Sequence, residues 1–427
     1  MDRTEFLKAL TGLMAIESVA MTDVDETHPY GTGPAKALEY VLTLCEHMGI
    51  RTENRDGKVA WAEIGQGEEI VGILGHLDVV PIGDGWTHDS AGEICADRLY
   101  GRGSVDDKGP VMAALFAMKE LQDAGVPLKR RVRLIFGQSE ETGGWDDMEY
   151  YKAHEQLPVF GFTPDADFPA IYGEKGILNY ELSMPLSEAG FVSIEGGDAG
   201  NMVPPWAKAE IKQGDRVASY QTKGQAAHAS TPEAGKNAIS ALMEGLAAAG
   251  VDSPLVDFYN EHIGWDYYGE KMGCGFEDTQ SGRLTLNAGL LRTEGDQVTL
   301  TLDIRSPVTI IERQVSQAIE KACAPYGIQV RCAEYMEPIY MDKDGRVIQA
   351  MLDVYRQVTG DYSEPTVIGG GTYARAMPGI VAFGPMQPGR ECTEHQKDEY
   401  ILLEDLFQAE EIYRMTIEKL ANLEVGS

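Results

Sequence analysis

The chain of 427 residues is poor in cysteine, in positive charge and in long apolar runs, and each shortage excludes a class of protein. Its cysteines, at 45, 95, 274, 323, 332 and 392, form no C-x-x-C pair, which fits reduced thiols better than an oxidised framework. Lys and Arg number 36 against 68 Asp and Glu, a formal net charge of −32. Nothing in that balance offsets phosphate repulsion, so nucleic acid and anionic membrane surfaces are excluded as partners. No apolar stretch reaches the ~18 residues that a spanning helix needs. The opening MDRTEFLKALTGLMAIESVAM carries acids early and lacks the basic start and small-residue cleavage site of a signal peptide. A cytoplasmic protein is expected.

What is present is an alternation of two textures. Residues 34–48 and 109–124 repeat apolar positions at helical spacing and stop at Gly49 and Gly125. The apolar run at 69–75 and the segment 131–138 read as buried strands. That succession implies an α/β domain with a mostly parallel sheet, helices on both faces, and ligands gathered at the carboxyl ends of strands. From about 180 the texture changes. Val298, Leu300, Leu302 and Ile304 alternate as on a half-exposed antiparallel strand, flanked by helices at about 236–249 and 311–324. Strand–helix style returns after about 340, with a helix at 345–358 and a Gly-rich loop at 369–371. The expected organisation is a catalytic domain over 1–179 and 339–427, interrupted by an inserted α+β domain over 180–338.

Five short segments carry metal-binding side chains. GHLDVVP places His76 and Asp78 after a buried strand, where residues two apart share a side. The imidazole can bind a metal while Asp78 orients it or a neighbouring residue. A lone H-x-D is most often a surface accident. In GRGSVDDKGP, glycines bracket two aspartates before a helix, and a ligand and a helix N-cap are equally good readings. FGQSEETGG sets Glu140 and Glu141 side by side at a strand end, where they repel unless a cation or proton intervenes. One can bind metal while the other takes a proton from water. Asp165 follows a proline in a turn, and His395 lies in ECTEHQKDE near the C-terminus. Together these make a nitrogen and oxygen donor set suited to zinc, manganese or cobalt, unlike thiolate-rich structural zinc sites.

The motifs GHLDVVP, GDGW, LYGRGSVDDKGP, SEETGG, TPDADFPAIYGEKG, NMVP, AHAS, GGGTYAR and EHQKDE, in order from about residue 28 to 400, resemble a family. It is the two-zinc metallopeptidases that include carboxypeptidase G, aminoacylase, carnosinase and peptidase V, and the dipeptidase branch is the nearest likeness. The resemblance implies two divalent ions, Zn²⁺ foremost with Mn²⁺ or Co²⁺ as substitutes, and a small peptide substrate. It assigns His76 and Asp165 to one ion, Glu141 and His395 to the other, and Asp106 to both, with a cis peptide bond after Asp106. Glu140 becomes the general base and Asp78 the residue that orients His76. His228 of QAAHAST supplies an oxyanion donor, Asn201 and Arg305 grip polar groups of substrate, and the backbone of Gly370 and Gly371 adds N–H donors. Arg305 is expected to clamp a terminal carboxylate with two parallel hydrogen bonds. The inserted domain becomes a ferredoxin-like lid with hinges near 178–182 and 335–342. Ser90 departs from the proline usual there, and the inserted domain is shorter than in the longer dipeptidases, so a monomer and a homodimer in which His228 serves a neighbour both remain open.

The same metal set serves an N-acyl amino acid deacylase or desuccinylase, and only the substrate pocket separates the two. A non-enzymatic scaffold would show a lost ligand or base, and every position is filled. A nucleotide-binding reading fails because the glycines of GRGSVDDKG do not form a P-loop.

Overall fold

The computed structural model describes residues 1–214 and 216–424. It divides into two compact units. The first joins Met1–Tyr172, Met341–Thr366 and Thr372–Ser427, and the second joins Gly173–Tyr340 and Val367–Gly371. The second unit therefore begins before residue 180, reaches past 338, and claims the Gly-rich loop that sequence texture leaves with the first. Backbone pairing explains the last point, because Lys175 N–H donates to the carbonyl of Ile368 at 2.9 Å.

In the first unit the strands run in the order Arg51–Arg55, Val59–Ile64, Arg131–Gly137, Ile70–His76, Phe160–Thr163, Ile380–Ala382. The four from Arg131–Gly137 to Ile380–Ala382 pair in parallel, and the first two join antiparallel. The expected parallel sheet is thus mixed, with antiparallel strands at one side. All seven residues of IVGILGH are buried, as a central strand covered on both faces requires. The helix Lys108–Asp123 buries most of its length and packs against Leu403–Ala421. The helix Arg346–Thr359 stops at Gly360, whose φ of 71° is the left-handed conformation that glycine adopts without a Cβ penalty. No described helix is long and apolar enough to cross a membrane.

The second unit holds a seven-stranded antiparallel sheet. Its heart runs strand Gly176–Pro185, helix Ala238–Ala248, strands Thr285–Glu294 and Gln297–Ser306, helix Glu312–Cys323, strand Gln329–Met336. That is the β-α-β-β-α-β succession of ferredoxin-like folds, extended by strands between Ser193 and Lys223. Leu178, Tyr180 and Leu182 face Val298, Leu300, Leu302 and Ile304 and the helix residues Leu242, Val315 and Ile319 in one core. All six cysteines are free, Cys323 and Cys332 included.

Candidate metal centre

Strand register assembles the site. His76 ends a strand and lies opposite Gly137, so the chain reaches Glu140 and Glu141 beside the histidine. On the other side, Ile73 pairs with Phe162, and Asp165 follows two residues beyond that strand's end at Thr163. Three neighbouring parallel strands therefore release their functional residues at one carboxyl edge. The fourth and fifth contributions come from a separate small sheet, where Tyr100 pairs with Tyr400 and draws the Asp106 and His395 loops together.

Asp106 lies at the centre. One of its oxygens is 2.9 Å from His76 Nε2 and the other is 2.8 Å from His395 Nε2. Asp165 approaches His76 Nε2 at 3.9 Å, and Glu141 approaches His395 Nε2 at 3.2 Å. Two donor groups result, His76–Asp106–Asp165 and Asp106–Glu141–His395, each with its atoms within 4.8 Å. The Asp106–Asp107 peptide is cis, as the resemblance implies. Asp107 stands at the N-cap position of the next helix, yet its side chain makes no capping bond and accepts from His76 N–H at 3.2 Å.

The electrostatics call for a cation. Burial pushes the carboxyls of Glu140, Glu141 and Asp165 above their ordinary range, and neighbouring carboxylates add to the rise. Burial also works against ionised Asp106, but the imidazoles of His395 and His76 beside its two oxygens hold its carboxyl well below the usual range. Hydrogen bonds to Asp106 and then Glu141 raise His395 to about 11. Burial would lower His76, and contacts with Asp106 and Asp78 overcome it. His76 Nε2 and Glu141 Oε1 are buried without an aligned hydrogen-bond partner. One such orphaned atom in each donor group, in a set of nitrogen and oxygen only, fits divalent metals.

Three buried carboxylates outside the donor groups hold the loops. Asp78 takes the N–H groups of Glu140 and Glu141 at 3.2 and 3.1 Å, while its backbone carbonyl meets His76 Nδ1 at 2.9 Å. Glu399 accepts from the N–H groups of Gly103 and Val105 and from Arg102, and so fixes the loop that carries Asp106. Asp147 binds the N–H groups of Gln138 and Ser139. Sequence reasoning reached Asp78 but missed Glu399 and Asp147. Glu399 closes the EHQKDE motif, whereas Asp147 reads as an ordinary acid in a first helical turn. Ser90, at the position usual for proline, gives its carbonyl to Arg102 N–H. A further group, His88, Glu93 and Cys95, also brings donor atoms together, but its thiol is exposed and His88 Nδ1 already lies 3.3 Å from a Glu93 oxygen.

Within the second unit, the remaining expected residues cluster. Asn201 carbonyl accepts from Ala229 N–H, and His228 Nδ1 meets Ser230 Oγ at 2.7 Å. Burial lowers the His228 pKa, with nearby Arg305 adding to the effect. A Cβ on Gly369 would lie 2.7 Å from that of Ser230, so the Gly369–Gly371 loop passes close to His228. Arg305 behaves differently from expectation. Its two parallel hydrogen bonds, both 2.7 Å, go to Asp303, and its third nitrogen donates to Gly369 carbonyl at 2.8 Å. A buried guanidinium needs a counter-charge, and Asp303 supplies it two residues away on the same strand face.

The profile of peptidase family M20/M25/M40 matches residues 72–419. The chain is 38% identical to the "Putative dipeptidase YtjP" of Bacillus subtilis, over 98% of this chain and 96% of that one. Among solved structures, an M20 family metallo-carboxypeptidase from Sulfolobus solfataricus superposes with a TM-score of 0.63 at 19% identity, covering 99% and 100% of the two chains. A Bacillus subtilis protein described as a dinuclear metal binding peptidase gives 0.57 at 12% identity, covering 98% of each. With the motifs, the fold and the profile in agreement, this chain belongs to the M20/M25/M40 peptidase family and is a metallopeptidase.

Proposed function

We propose that the protein is a dipeptidase that hydrolyses the peptide bond of unblocked dipeptides with two divalent ions, Zn²⁺ foremost. The observation that carries this reading is the meeting of two donor groups at Asp106, in a chain 38% identical to a dipeptidase-named relative over nearly the whole of both. His76 and Asp165 would hold one ion, Glu141 and His395 the other, and Asp106 both. Such ions, when bound, polarise the scissile carbonyl and acidify water.

The chain's own residues supply the rest. Glu140 stands beside the donor groups with its backbone N–H fixed by Asp78, so its carboxylate can take the proton of the attacking water. It then returns that proton to the leaving amine. The resemblance gives His228 the role of donor to the developing oxyanion, and Asn201 and the N–H groups of Gly370 and Gly371 that of binding polar groups of the substrate. Arg305 holds that glycine loop through Gly369 carbonyl and, by the resemblance, also grips a polar group of the substrate. The cytoplasm is the proposed place of work, on small peptides.

A substrate panel tests the reading: unblocked dipeptides, tripeptides, and N-acetyl or N-succinyl amino acids, with metal-free protein titrated with zinc or manganese. Dipeptide cleavage that appears with metal supports it. Turnover of N-acyl amino acids alone would show a deacylase with the same metal site.

A further inference from the structure

The segment that carries the glutamate pair is held through its backbone in an unusual way. Four consecutive N–H groups, from Gln138 to Glu141, all point at side-chain carboxylates. Asp78 takes the second two. Asp147 takes the first two on one oxygen, at 2.6 Å from Gln138 and 3.1 Å from Ser139, while its other oxygen accepts from Met148 N–H at 2.7 Å. Asp147 is fully buried, and no cationic side chain pairs with it among the described residues. A buried carboxylate without a counter-cation is costly unless N–H and O–H donors satisfy it. The last donor is Tyr373 of the GGGTYAR motif, also fully buried, whose hydroxyl lies 2.6 Å from the same Asp147 oxygen.

Tyr373 is also tied to the metal-binding side. Its ring meets that of His76 edge-on at 6.0 Å and that of Trp145 at 5.8 Å. Trp145 in turn donates its indole N–H to the carbonyl of Glu140 at 3.1 Å. Room for the tyrosine exists because residue 137 is glycine: a Cβ there would sit 2.3 Å from the hydroxyl. The tyrosine is thereby packed against the first ligand and bonded to the clamp of the glutamate pair.

We infer that Asp147, held by Tyr373, is a positioning residue for Glu140, the first of the pair. Its two hydrogen bonds fix the path of the chain immediately before the pair, as Asp78 fixes the pair itself. The hydroxyl of Tyr373 sets which way the Asp147 carboxylate faces. This rests on the reading of Glu140 as the proton carrier. The step that suffers from a loosened clamp is proton transfer, which depends on sub-ångström placement, and not the binding of substrate.

The experiment compares Tyr373→Phe, Asp147→Asn, Glu140→Gln and the double variant Tyr373→Phe with Glu140→Gln, using zinc-loaded protein. The substrate is whichever class the wild type turns over, so a wrong substrate assignment does not disturb the comparison. Readouts are kcat and KM separately, metal content by elemental analysis, and the denaturation midpoint. Groups that support a metal centre from outside are worth about 10–100-fold. We expect Tyr373→Phe to lower kcat by about 10-fold, with KM and metal content unchanged, and Asp147→Asn to lower it further. In the Glu140→Gln background, Tyr373→Phe should add little, because the group it positions is already gone. Should Asp147→Asn fail to fold, Tyr373→Phe, which removes one oxygen and keeps the ring, decides the matter alone. The inference is overturned if Tyr373→Phe leaves kcat within twofold of wild type. It is equally overturned if kcat falls only in step with metal content, or if the loss is undiminished in the Glu140→Gln background.

Discussion

At the scale of single residues, the site is a collection of acids placed where acids are expensive. Asp78, Asp147 and Glu399 are all fully buried. Their cost is met in two ways, by backbone N–H groups for the clamping carboxylates and by histidines for Asp106. The second arrangement has a measurable consequence. Without metal, His395 keeps its proton up to about 11, and His76 is raised as well. A ligating imidazole must be neutral, so at neutral pH metal has to displace those protons. Because the folded pKa lies above neutrality, apparent metal affinity should rise with pH. Zinc added to metal-free protein in weak buffer near neutral pH should release protons, measurable by a pH indicator or by calorimetry in buffers of different ionisation heat. Binding without proton release would contradict the charge state drawn here. The ligand candidates themselves were legible in the sequence because they sit at strand-to-loop breaks flanked by glycine, and the resemblance supplied the roles. Asp147 was not legible, since nothing local separates a buried acid in a first helical turn from one that merely complements the helix dipole.

At the scale of elements, the strands that deliver the ligands were the easiest to read. A run such as IVGILG has no polar face, so its burial on both sides follows directly, and its predicted span of 69–75 differs from the observed Ile70–His76 by one residue at each end. The helix expected at 311–324 is observed as Glu312–Cys323, with Val315, Ile319 and Ala322 inward. What local pattern could not show is neighbourhood. The strands Val59–Ile64 and Arg131–Gly137 pair antiparallel, which depends on connections no short window contains. The paired glycines Gly72 and Gly161 show how tight the centre is. They lie opposite each other in register, and a Cβ on Gly161 would fall 1.8 Å from the carbonyl oxygen of Gly72. Gly161→Ala must therefore push neighbouring central strands away from each other. Overpacking of this kind costs about 1–3 kcal/mol, and urea denaturation should show at least that loss. A midpoint equal to wild type would mean that the strands separate more easily than their register implies.

At the scale of the whole molecule, the formal net charge of −32 arises from 68 Asp and Glu against 36 Lys and Arg. Self-repulsion of this size opposes the compact state, and salt screens it, with a Debye length of ~10 Å at 0.1 M. The thermal midpoint should rise between low and physiological ionic strength when a monovalent, non-binding salt is used; a flat or falling midpoint would show that the acids are already neutralised locally. The division into two units was legible as a change of texture near residue 180. The assignment of Val367–Gly371 to the second unit was not, because five residues are held there by hydrogen bonds to Lys175 and Arg305 that sequence distance conceals. The central claim is that one carboxylate, Glu140, carries the proton in a peptide hydrolysis prepared by the Asp106 centre. Its most direct test is kcat/KM for an unblocked dipeptide with Glu140→Gln at the wild-type metal content. The account predicts a fall of at least 10²-fold, within the range for loss of a general acid–base group, with two ions still bound per chain. Activity within tenfold of wild type at that metal content would contradict it.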